Sequence, residues 1–353
     1  MSPSPSSVLV VGGGVVGLAC AHTSAGPASR VTVLERDRLG SGASRGNAGE
    51  ICSDLVEPLG APGVAAKALT GVFRPDCPLW TNPVPSIPLR FLAALGLRST
   101  VRHHSAGAAA LAALAEDTFA LFEELEVLGV DGGAWKDGLL FAYPSYEDAA
   151  HGPAGSRRLG APVSPGGCCR ARRLPGRSPP SGPPPGPGSW WSVNGPWNPG
   201  SSWTRRSSGC GATGPSWWRG ARVTAVWDGA DGVEARTSAG TFHADAVVIG
   251  AGIWSRQVCA SLGVRIDLAA GKGYSFSVPA ESLPRRLVHL GSAKAVLAPL
   301  GKGVRVAGTM EFDRETRTAS GRAAWRRWWR PRGRICRGPT GSGGSRSGWG
   351  RAR

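Results

Sequence analysis

The chain has 353 residues, a formal net charge of +17 and eight cysteines, a length that allows two domains with a sizeable core. Residues 151–220 and 321–353 hold nineteen arginines and no lysine, aspartate or glutamate, so the other 250 residues carry −2. No CxxC pair and no run approaching a membrane span occurs. This argues against zinc motifs and transmembrane helices, and it favours free thiols in a reducing compartment with no metal site.

The first predicted elements are a buried strand at residues 8–11, a glycine-rich turn, a helix at residues 15–24 and a second strand, RVTVLE. In the GxGxxG turn, the first glycine permits a tight bend, the second lets the backbone approach a pyrophosphate and the third allows close helix–strand packing. The helix N-terminus offers N–H groups to phosphates, and the terminal glutamate can accept ribose hydroxyls. The order predicts a Rossmann-like dinucleotide site, whereas a simple tight turn with a solvated glutamate is the alternative. Its predicted contacts are Gly12, Gly14, Val15, Val16, Gly17, Glu35 and Arg36.

The next segment, RDRLGSGASRGNAGEI, is a loop of small residues that permits close approach of a bulky planar ligand, or else a flexible surface loop. With VVGGGVVGLACA and VTVLERD before it, and GVFRPDCPLW after it, this loop resembles the D-amino-acid-oxidase-like superfamily of FAD enzymes, in particular the bacterial D-amino-acid dehydrogenases. The resemblance implies FAD as cofactor. It also implies that the loop runs past the flavin pyrophosphate, with Ser44, Arg45, Asn47, Ala48 and Gly49 as cofactor neighbours.

Residues 105–130 are predicted as one amphipathic helix, because leucines recur at spacings of three and four, with Ser105 as its cap. The preceding pair, His103 and His104, has no acidic or cysteine partner nearby in the sequence. It is therefore interpreted as surface rather than as a metal site.

Farther along, ARVTAVWDGADGVEARTSAGTFHADAVVIGAGIW predicts two hairpin strands and then an apolar strand at residues 246–249. By the resemblance, Val223 contacts the adenine side through its backbone, and Gly250, Ala251 and Gly252 lie against the cofactor. Ordinary strand core is the alternative for Val223. AGKGYSFSVP and GVRVAGTMEFD resemble strands of the family's substrate domain, a sheet that covers the flavin. Tyr274, Met310 and Glu311 are therefore candidates to face the substrate, although a strand tyrosine also fits core or rim.

Two blocks depart from this pattern. Residues 151–220 contain 15 glycines, 13 prolines and six tryptophans, a composition that cannot bury enough apolar surface to order itself. In a GC-rich gene, valine codons GTG-GTG read one base late give the tryptophan codon TGG. We interpret residues 151–220 and 324–353 as frameshifted and disordered. A genuine insertion that stacks nucleic-acid bases on aromatics beside cations is the rival.

The sequence thus predicts an α/β Rossmann-like FAD-binding domain of GR2 type, at residues 1–75 and 221–260. A second α+β substrate domain on a mostly antiparallel sheet is predicted at residues 76–150 and 261–323. The resemblance implies oxidation of an amino acid, in particular a D-amino acid, with quinone or oxygen as electron acceptor. A glycine- or sarcosine-oxidase-like enzyme, a non-catalytic flavoenzyme remnant and a basic nucleic-acid binder are the alternatives. We expect a cytoplasmic protein, with peripheral association with the inner face of the membrane left open.

Overall fold

The computed structural model describes residues 5–26, 28–53, 57–63, 79–81, 89–127, 134–135, 139–143, 191–193, 214–280, 283–291, 293–301 and 303–312. The chain divides into two compact units. Unit 1 comprises residues 1–49, 114–135 and 193–270, and unit 2 comprises residues 50–113, 136–192 and 271–353. The domain boundaries inferred from the sequence remain a prediction.

Unit 1 is built on a four-stranded parallel sheet. Its strands are β1 (Ser7–Val11), β2 (Arg30–Glu35), β8 (Ser216–Arg219) and β12 (Ala246–Ile249), in the order β12-β1-β2-β8. All five residues of β1 are buried, as the continuous apolar run of a central parallel strand requires. Helix α1 (Val15–Ser24) packs Leu18 and Ala21 into the same core. The predicted strand–helix–strand order at the start of the chain is confirmed.

Strand β8 corrects the expectation of disorder up to residue 220. It pairs in parallel with β2, and Thr32 Oγ1 lies 2.9 Å from Ser216 Oγ. Trp217 packs against the unit 1 core, and the ring of Trp218 meets Phe242 edge-on at 4.9 Å. The apolar partners are supplied by neighbouring strands, so the block's own composition could not reveal them. Short strand β7 (Trp191–Val193) also pairs, antiparallel to β3 (Glu50–Ile51). Residues 151–190, 194–213 and 313–353 lie outside the described residues.

Three antiparallel strands, not the two expected, precede β12. They are β9 (Val223–Gly229), β10 (Gly232–Thr237) and β11 (Gly240–Ala244). The missed hairpin turns at residues 237–240, where Thr237 Oγ1 accepts the N–H of Ala239 and donates to the carbonyl of Gly240. Gly240 takes a φ of +124°, a conformation that glycine adopts without strain. β12 itself occupies the predicted residues.

Asp245, between β11 and β12, fastens the start of β1. Its Oδ2 accepts the N–H and the hydroxyl of Ser6, each at 2.7 Å, and the N–H of Ser7 at 2.9 Å. The Ser7 hydroxyl in turn accepts the N–H of Asp245 at 3.0 Å. Hydrogen bonds to a carboxylate favour its charged form, and they lower the pKa of Asp245 below its ordinary value.

This depressed pKa predicts a stability contribution from Asp245 that acid removes. The contribution is complete above the unfolded-state pKa, about 3.9 for aspartate, and it is lost as the pH falls through the lower folded-state pKa. Asp245→Asn should therefore lower the unfolding midpoint at neutral pH and flatten its decline at acid pH, as followed by circular dichroism. A variant whose pH profile parallels that of the wild type would contradict this account.

The predicted helix at residues 105–130 is instead two helices, α4 (Val101–Ala115) and α5 (Thr118–Val127), preceded by α3 (Leu89–Arg98). Ser105 lies inside α4 and is not its cap. Thr100 fills that role, because its Oγ1 accepts the N–H of His103 and its carbonyl accepts the N–H of His104. The segment Val101–Val127 is long and apolar enough to cross a membrane by length and composition alone. Core helices of soluble proteins can meet the same criterion. None of the residues assessed in α4 and α5 is fully buried.

Unit 2 contains a six-stranded sheet that confirms the predicted strands near residues 271–279 and 303–312. Its strands are β4 (Leu79–Thr81), β6 (Leu139–Ala142), β13 (Gly271–Pro279), β14 (Leu287–Leu290), β15 (Ala295–Leu300) and β16 (Gly303–Phe312). They follow the order β13-β16-β15-β14-β6, with β4 paired to β16. The β13–β16, β16–β15 and β15–β14 pairs are antiparallel, and β6 and β4 join in parallel.

The remaining described elements are short. They are α2 (Ala43–Gly46), β5 (Ala134–Trp135), a 3-10 turn at Gly252–Trp254 and α6 (Ser255–Ser261).

Candidate cofactor site

The candidate site lies in unit 1, at the edge where the parallel strands end. The chain leaves β1 at Gly12, β2 at Glu35 and β12 at Gly250. Backbone bonds join these exits: the Gly12 N–H donates to Leu34 O at 2.9 Å, and the Gly250 N–H donates to Val11 O at 2.8 Å. In open parallel sheets, ligands bind in the crevice at the carboxyl ends of the strands.

Three glycines bring the backbone at this edge into close contact. Gly12 has a φ of +108°, and a Cβ there would lie 2.5 Å from the carbonyl oxygen of Gly250. A Cβ on Gly17 would overlap the carbonyl oxygen of Gly12, and one on Gly250 would lie 3.1 Å from the Cα of Gly17. The N-terminus of α1 can therefore approach β1 and β12 only because all three positions lack side chains.

Two side-chain oxygens meet amides at the α1 N-terminus. Glu35 Oε2 accepts the N–H of Gly13 at 2.7 Å, and Ser44 Oγ accepts the N–H of Val15 at 2.9 Å. The second bond brings the SRGNAG loop onto the GxGxxG turn, the two segments that the sequence singled out separately. Amides at a helix N-terminus favour oxygen ligands of negative charge, so these groups mark where phosphate and ribose oxygens would bind.

The SRGNAG loop itself is held by a local turn. Residues 43–46 form the single helical turn α2, and Asn47 Oδ1 then accepts the N–H of Gly49 at 2.9 Å. Gly49 has a φ of +71°, which favours glycine. Asn47 and Gly49 therefore shape the loop, with Arg45 inside its helical turn and Ala48 between them.

An arginine–tryptophan pair flanks the same edge. The guanidinium of Arg36 lies 4.2 Å from the ring centroid of Trp254, and its Nε lies 2.8 Å from Asp37 Oδ2. Trp254 closes the 3-10 turn that follows the predicted turn at Gly250, Ala251 and Gly252. Val16, in the first turn of α1, is 61% exposed.

The other predicted residues lie elsewhere. Val223 begins β9 and pairs with Thr237. In unit 2, Tyr274 pairs with Gly308, and Glu311 pairs with Lys272 and, through β4, with Trp80. Met310 pairs with Leu79. The structure thus brings the GxGxxG, Glu35 and Ser44 groups together, and the cofactor and substrate roles of all these residues stay predictions.

Sequence reasoning missed Gly13 and Trp254. Gly13 occupies a free position of the GxGxxG motif, yet its N–H bonds Glu35, and a Cβ there would lie 2.5 Å from Leu39 Cδ2. For Trp254, the available signal was an aromatic residue directly after the small-residue turn that ends an apolar strand.

The residues present fit the adenosine diphosphate half of FAD. The turn offers a backbone cradle that side chains at Gly12 or Gly17 would fill. Gly14 faces Ser44, and a Cβ at Gly14 would lie 3.3 Å from the Ser44 Oγ. The donor set is backbone N–H groups beside one carboxylate and one hydroxyl. Such a set suits phosphates and a ribose. Among the described residues, no group of three or more metal-ligating side chains occurs.

Comparisons with known proteins match most of the chain to one enzyme family. The FAD-dependent oxidoreductase family matches residues 7–334. The chain is 30% identical to a D-amino acid dehydrogenase of Cereibacter sphaeroides (strain ATCC 17029 / ATH 2.4.9), covering 86% of this chain and 72% of that protein. It is 28% identical to a D-amino acid dehydrogenase of Xanthobacter autotrophicus, covering 89% and 78%.

Solved structures share the fold. The crystal structure of glycine oxidase from Geobacillus kaustophilus aligns with a TM-score of 0.56 at 19% identity, covering 90% of this chain and 74% of that one. L-amino acid deaminase from Proteus vulgaris aligns with a TM-score of 0.52 at 14% identity, covering 88% and 62%.

Proposed function

Because the chain belongs to the family of FAD-dependent oxidoreductases, we propose that it oxidises a D-amino acid to the corresponding imino acid. Its cofactor is FAD, as in the rest of the family. The observation that carries the proposal is the meeting of the GxGxxG turn, Glu35 and Ser44 at one sheet edge. The D-amino acid as substrate class is supported by the relatives named D-amino acid dehydrogenase.

The residues of unit 1 hold the cofactor in this proposal. The N–H groups at the start of α1 bind the pyrophosphate, and Glu35 binds the ribose of the adenosine half. Ser44 and the loop to Gly49 carry the site toward the flavin ring. Val223 contributes backbone on the adenine side, while Arg36 and Trp254 flank it. Unit 1 thus acts as a GR2-type FAD-binding domain, and the sheet of unit 2 acts as the substrate domain, with Tyr274, Met310 and Glu311 as substrate-side candidates.

The chemistry divides between cofactor and protein. FAD supplies a two-electron acceptor, which no side chain of the chain can replace. With FAD bound, the amino acid would give its α-hydrogen as hydride to the flavin and one ammonium proton to solvent, and water would then hydrolyse the imino acid to a 2-oxo acid and ammonia. The protein binds and orients the substrate and excludes water, which is where most of its rate advantage arises.

Purified full-length protein is expected to carry oxidised flavin, seen as yellow absorbance, and to lose that colour when D-alanine is added without oxygen. Panels of D-amino acids, L-amino acids, glycine and sarcosine define the substrate class. Reduction by glycine or sarcosine alone would move the function to an amine oxidase. Retained FAD that no amine reduces would identify a non-catalytic flavoprotein, and a colourless protein that retains NAD would contradict the cofactor assignment.

We also propose a cytoplasmic location, with peripheral contact of the inner membrane face when a quinone is the electron acceptor. The segment Val101–Val127, whose helices expose large apolar side chains such as Leu114 at 84%, supports a membrane-facing surface. Flotation with liposomes, and a comparison of a soluble quinone analogue with oxygen as acceptor, test the two parts separately. Recovery of all protein away from liposomes would contradict the membrane part, and faster reoxidation by oxygen than by quinone would contradict the acceptor.

A further inference from the structure

An exposed corner of unit 2, where α3 ends and α4 begins, combines apolar and basic side chains. Leu97 is 76% exposed and Val101 is 69% exposed, and each directly precedes an exposed arginine, Arg98 and Arg102. No salt bridge among the described residues involves either guanidinium. Single exposed aliphatic residues are common on soluble proteins. Two of them four positions apart, each beside an arginine, give this corner both apolar and cationic character.

The shape of the corner is fixed by contacts within the protein. Ser99, between the two helices, donates its hydroxyl to the carbonyl of Leu95 at 2.7 Å. The loop that holds Pro58 and Gly60 covers one side. A Cβ at Gly60 would lie 3.4 Å from Ser99 Oγ and 3.6 Å from Leu95 Cδ1, and one at Gly107 would lie 3.0 Å from Pro58 Cγ. A partner that docks on the exposed side therefore gains contacts without first having to order the chain.

The sequence around the corner is basic as well. No aspartate or glutamate occurs between Asp76 and Glu116, a stretch of 39 residues that holds three arginines. The loop against the corner contributes one acid, Glu57, which is exposed. Positive charge of this kind attracts a negatively charged partner and steers it to the surface.

Anionic lipid headgroups match both kinds of side chain at the corner. Guanidinium groups bind phosphate oxygens well, and aliphatic side chains can enter the boundary between headgroups and acyl chains. A nucleic acid would meet the arginines but would leave the aliphatic side chains without a partner, because bases stack on aromatic rings. A symmetric contact with a second copy of the chain would bring the same arginines face to face.

The helix lengths favour a contact along the membrane surface over a span. α4 has 15 residues and is therefore about 22 Å long, whereas the hydrocarbon core of a bilayer is about 30 Å thick. Glu116 and Asp117 separate α4 from α5, so two charges interrupt the apolar run. An interfacial contact needs only shallow burial of the apolar side chains.

We propose that the corner formed by Leu97, Arg98, Val101 and Arg102 docks on a membrane surface rich in anionic lipid, with the arginines on lipid phosphates and the aliphatic side chains between the headgroups. This assignment rests on the membrane contact in the proposed function and names its lipid class and residues. The competing explanation is general attraction by the net charge of +17. Net charge alone gives no role to the aliphatic side chains, whereas docking by the corner requires both kinds.

The test sediments full-length, FAD-loaded protein with vesicles of phosphatidylcholine, either alone or with about a third phosphatidylglycerol. The wild type should bind the anionic vesicles, lose that binding as salt rises, and leave the neutral vesicles unbound. The double variant Arg98→Gln and Arg102→Gln should weaken binding about thirtyfold, from about fivefold for each arginine. The double variant Leu97→Ser and Val101→Ser should weaken it about tenfold.

Val264 and Arg265 of unit 1 provide the matched control. Val264 is 51% exposed and directly precedes Arg265, whose Nε lies 3.8 Å from Asp267 Oδ1. This pair resembles the corner but already has an acidic neighbour, so Val264→Ser with Arg265→Gln should bind vesicles as the wild type does. Hydrogen exchange read by mass spectrometry needs no substitution. Amides of residues 96–102 should exchange more slowly on anionic vesicles, and those of residues 263–267 should not change.

Equal binding to neutral and anionic vesicles, corner variants that bind as tightly as the control, or unchanged exchange at residues 96–102 would overturn the corner as the docking site. Loss of binding in the arginine variant alone would also overturn it, in favour of general attraction by charge. Flavin bleaching by D-alanine is measured separately without vesicles. Bleaching without vesicle binding overturns the corner alone, and vesicle binding without bleaching overturns the proposed oxidation alone.

Discussion

Gly17→Ala is expected to abolish FAD retention and to lower the unfolding midpoint of the whole protein. The added Cβ would overlap the carbonyl oxygen of Gly12, a backbone atom that cannot rotate away. Relief requires α1 to move off the end of β1, which breaks the contact with Gly250 and displaces the helix N-terminus. We expect FAD affinity to fall by more than about a hundredfold, since misplacing phosphate donors by an ångström removes several charge-assisted bonds together.

A graded glycine series separates the steric effect at Gly17 from the general effect of adding a methyl group to a glycine. At Gly14 a Cβ would lie 3.3 Å from Ser44 Oγ, a hydroxyl that can turn, so Gly14→Ala should weaken FAD binding while the protein stays folded. Gly26 has no atom within 4 Å of a built Cβ, so Gly26→Ala should bind FAD as the wild type does. FAD affinity is measured by quenching of flavin fluorescence on titration of apoprotein. If Gly17→Ala and Gly26→Ala behave alike, the close-packed cradle is not what binds FAD.

The parts of the fold that sequence could predict are those whose partners are near in the chain. β1, α1 and β2 follow one another within 30 residues, and each carries its own signal: an apolar run, GxGxxG, and a second run ending in an acid. The family resemblance extended this to the SRGNAG loop. The hydrogen bond from the Val15 N–H to Ser44 Oγ forms because this loop folds back onto α1, the helix that precedes it in the chain.

The features that sequence missed depend on distant partners. Trp217 and Trp218 lie in a block whose composition predicts disorder, yet they pair with Val33 and Leu34 of β2, 184 positions earlier in the chain. Glu50 Oε2 and His289 Nε2 lie 3.0 Å apart, although the two residues are separated by 239 positions in the chain. No periodicity joins such pairs, because the register that aligns them is set by a sheet assembled from remote strands. The cap at Thr100 was missed for a different reason, since two adjacent capping-type residues, Ser99 and Thr100, stood before the leucine pattern and Ser105 was nearer to it.

Strand β8 shows that part of a block interpreted as frameshifted can still form regular structure. Residues 216–219 occupy a strand position beside β2 despite their unusual composition. A strand needs only extended backbone and side chains that fit half-buried surface, and tryptophan meets both conditions. The parallel sheet can therefore accept residues that no longer match the family's pattern, whereas a site that depends on particular functional groups cannot.

Glu35→Ala is expected to weaken FAD binding roughly a hundredfold, because one carboxylate serves two purposes. Its Oε2 holds the Gly13 N–H at 2.7 Å and its Oε1 holds the Asp37 N–H at 2.7 Å. It thereby joins the glycine turn to the end of β2, and in the proposed cofactor site it would also accept the ribose hydroxyls. Alanine removes the ribose partner and releases the turn at once.

Glu35→Gln distinguishes these two contributions. The amide oxygen can still accept the Gly13 N–H, so the turn keeps its shape, but the charge that strengthens bonds to the ribose is gone. We expect a loss of FAD affinity between those of the wild type and Glu35→Ala, with an unchanged unfolding midpoint of the apoprotein. Asp37→Asn, which alters a neighbouring carboxylate that contacts Arg36, is the charge-matched control and should bind FAD as the wild type does. Equal FAD affinity in Glu35→Ala and Asp37→Asn would mean that the ribose is bound elsewhere and that the sheet edge described here is not the adenosine site.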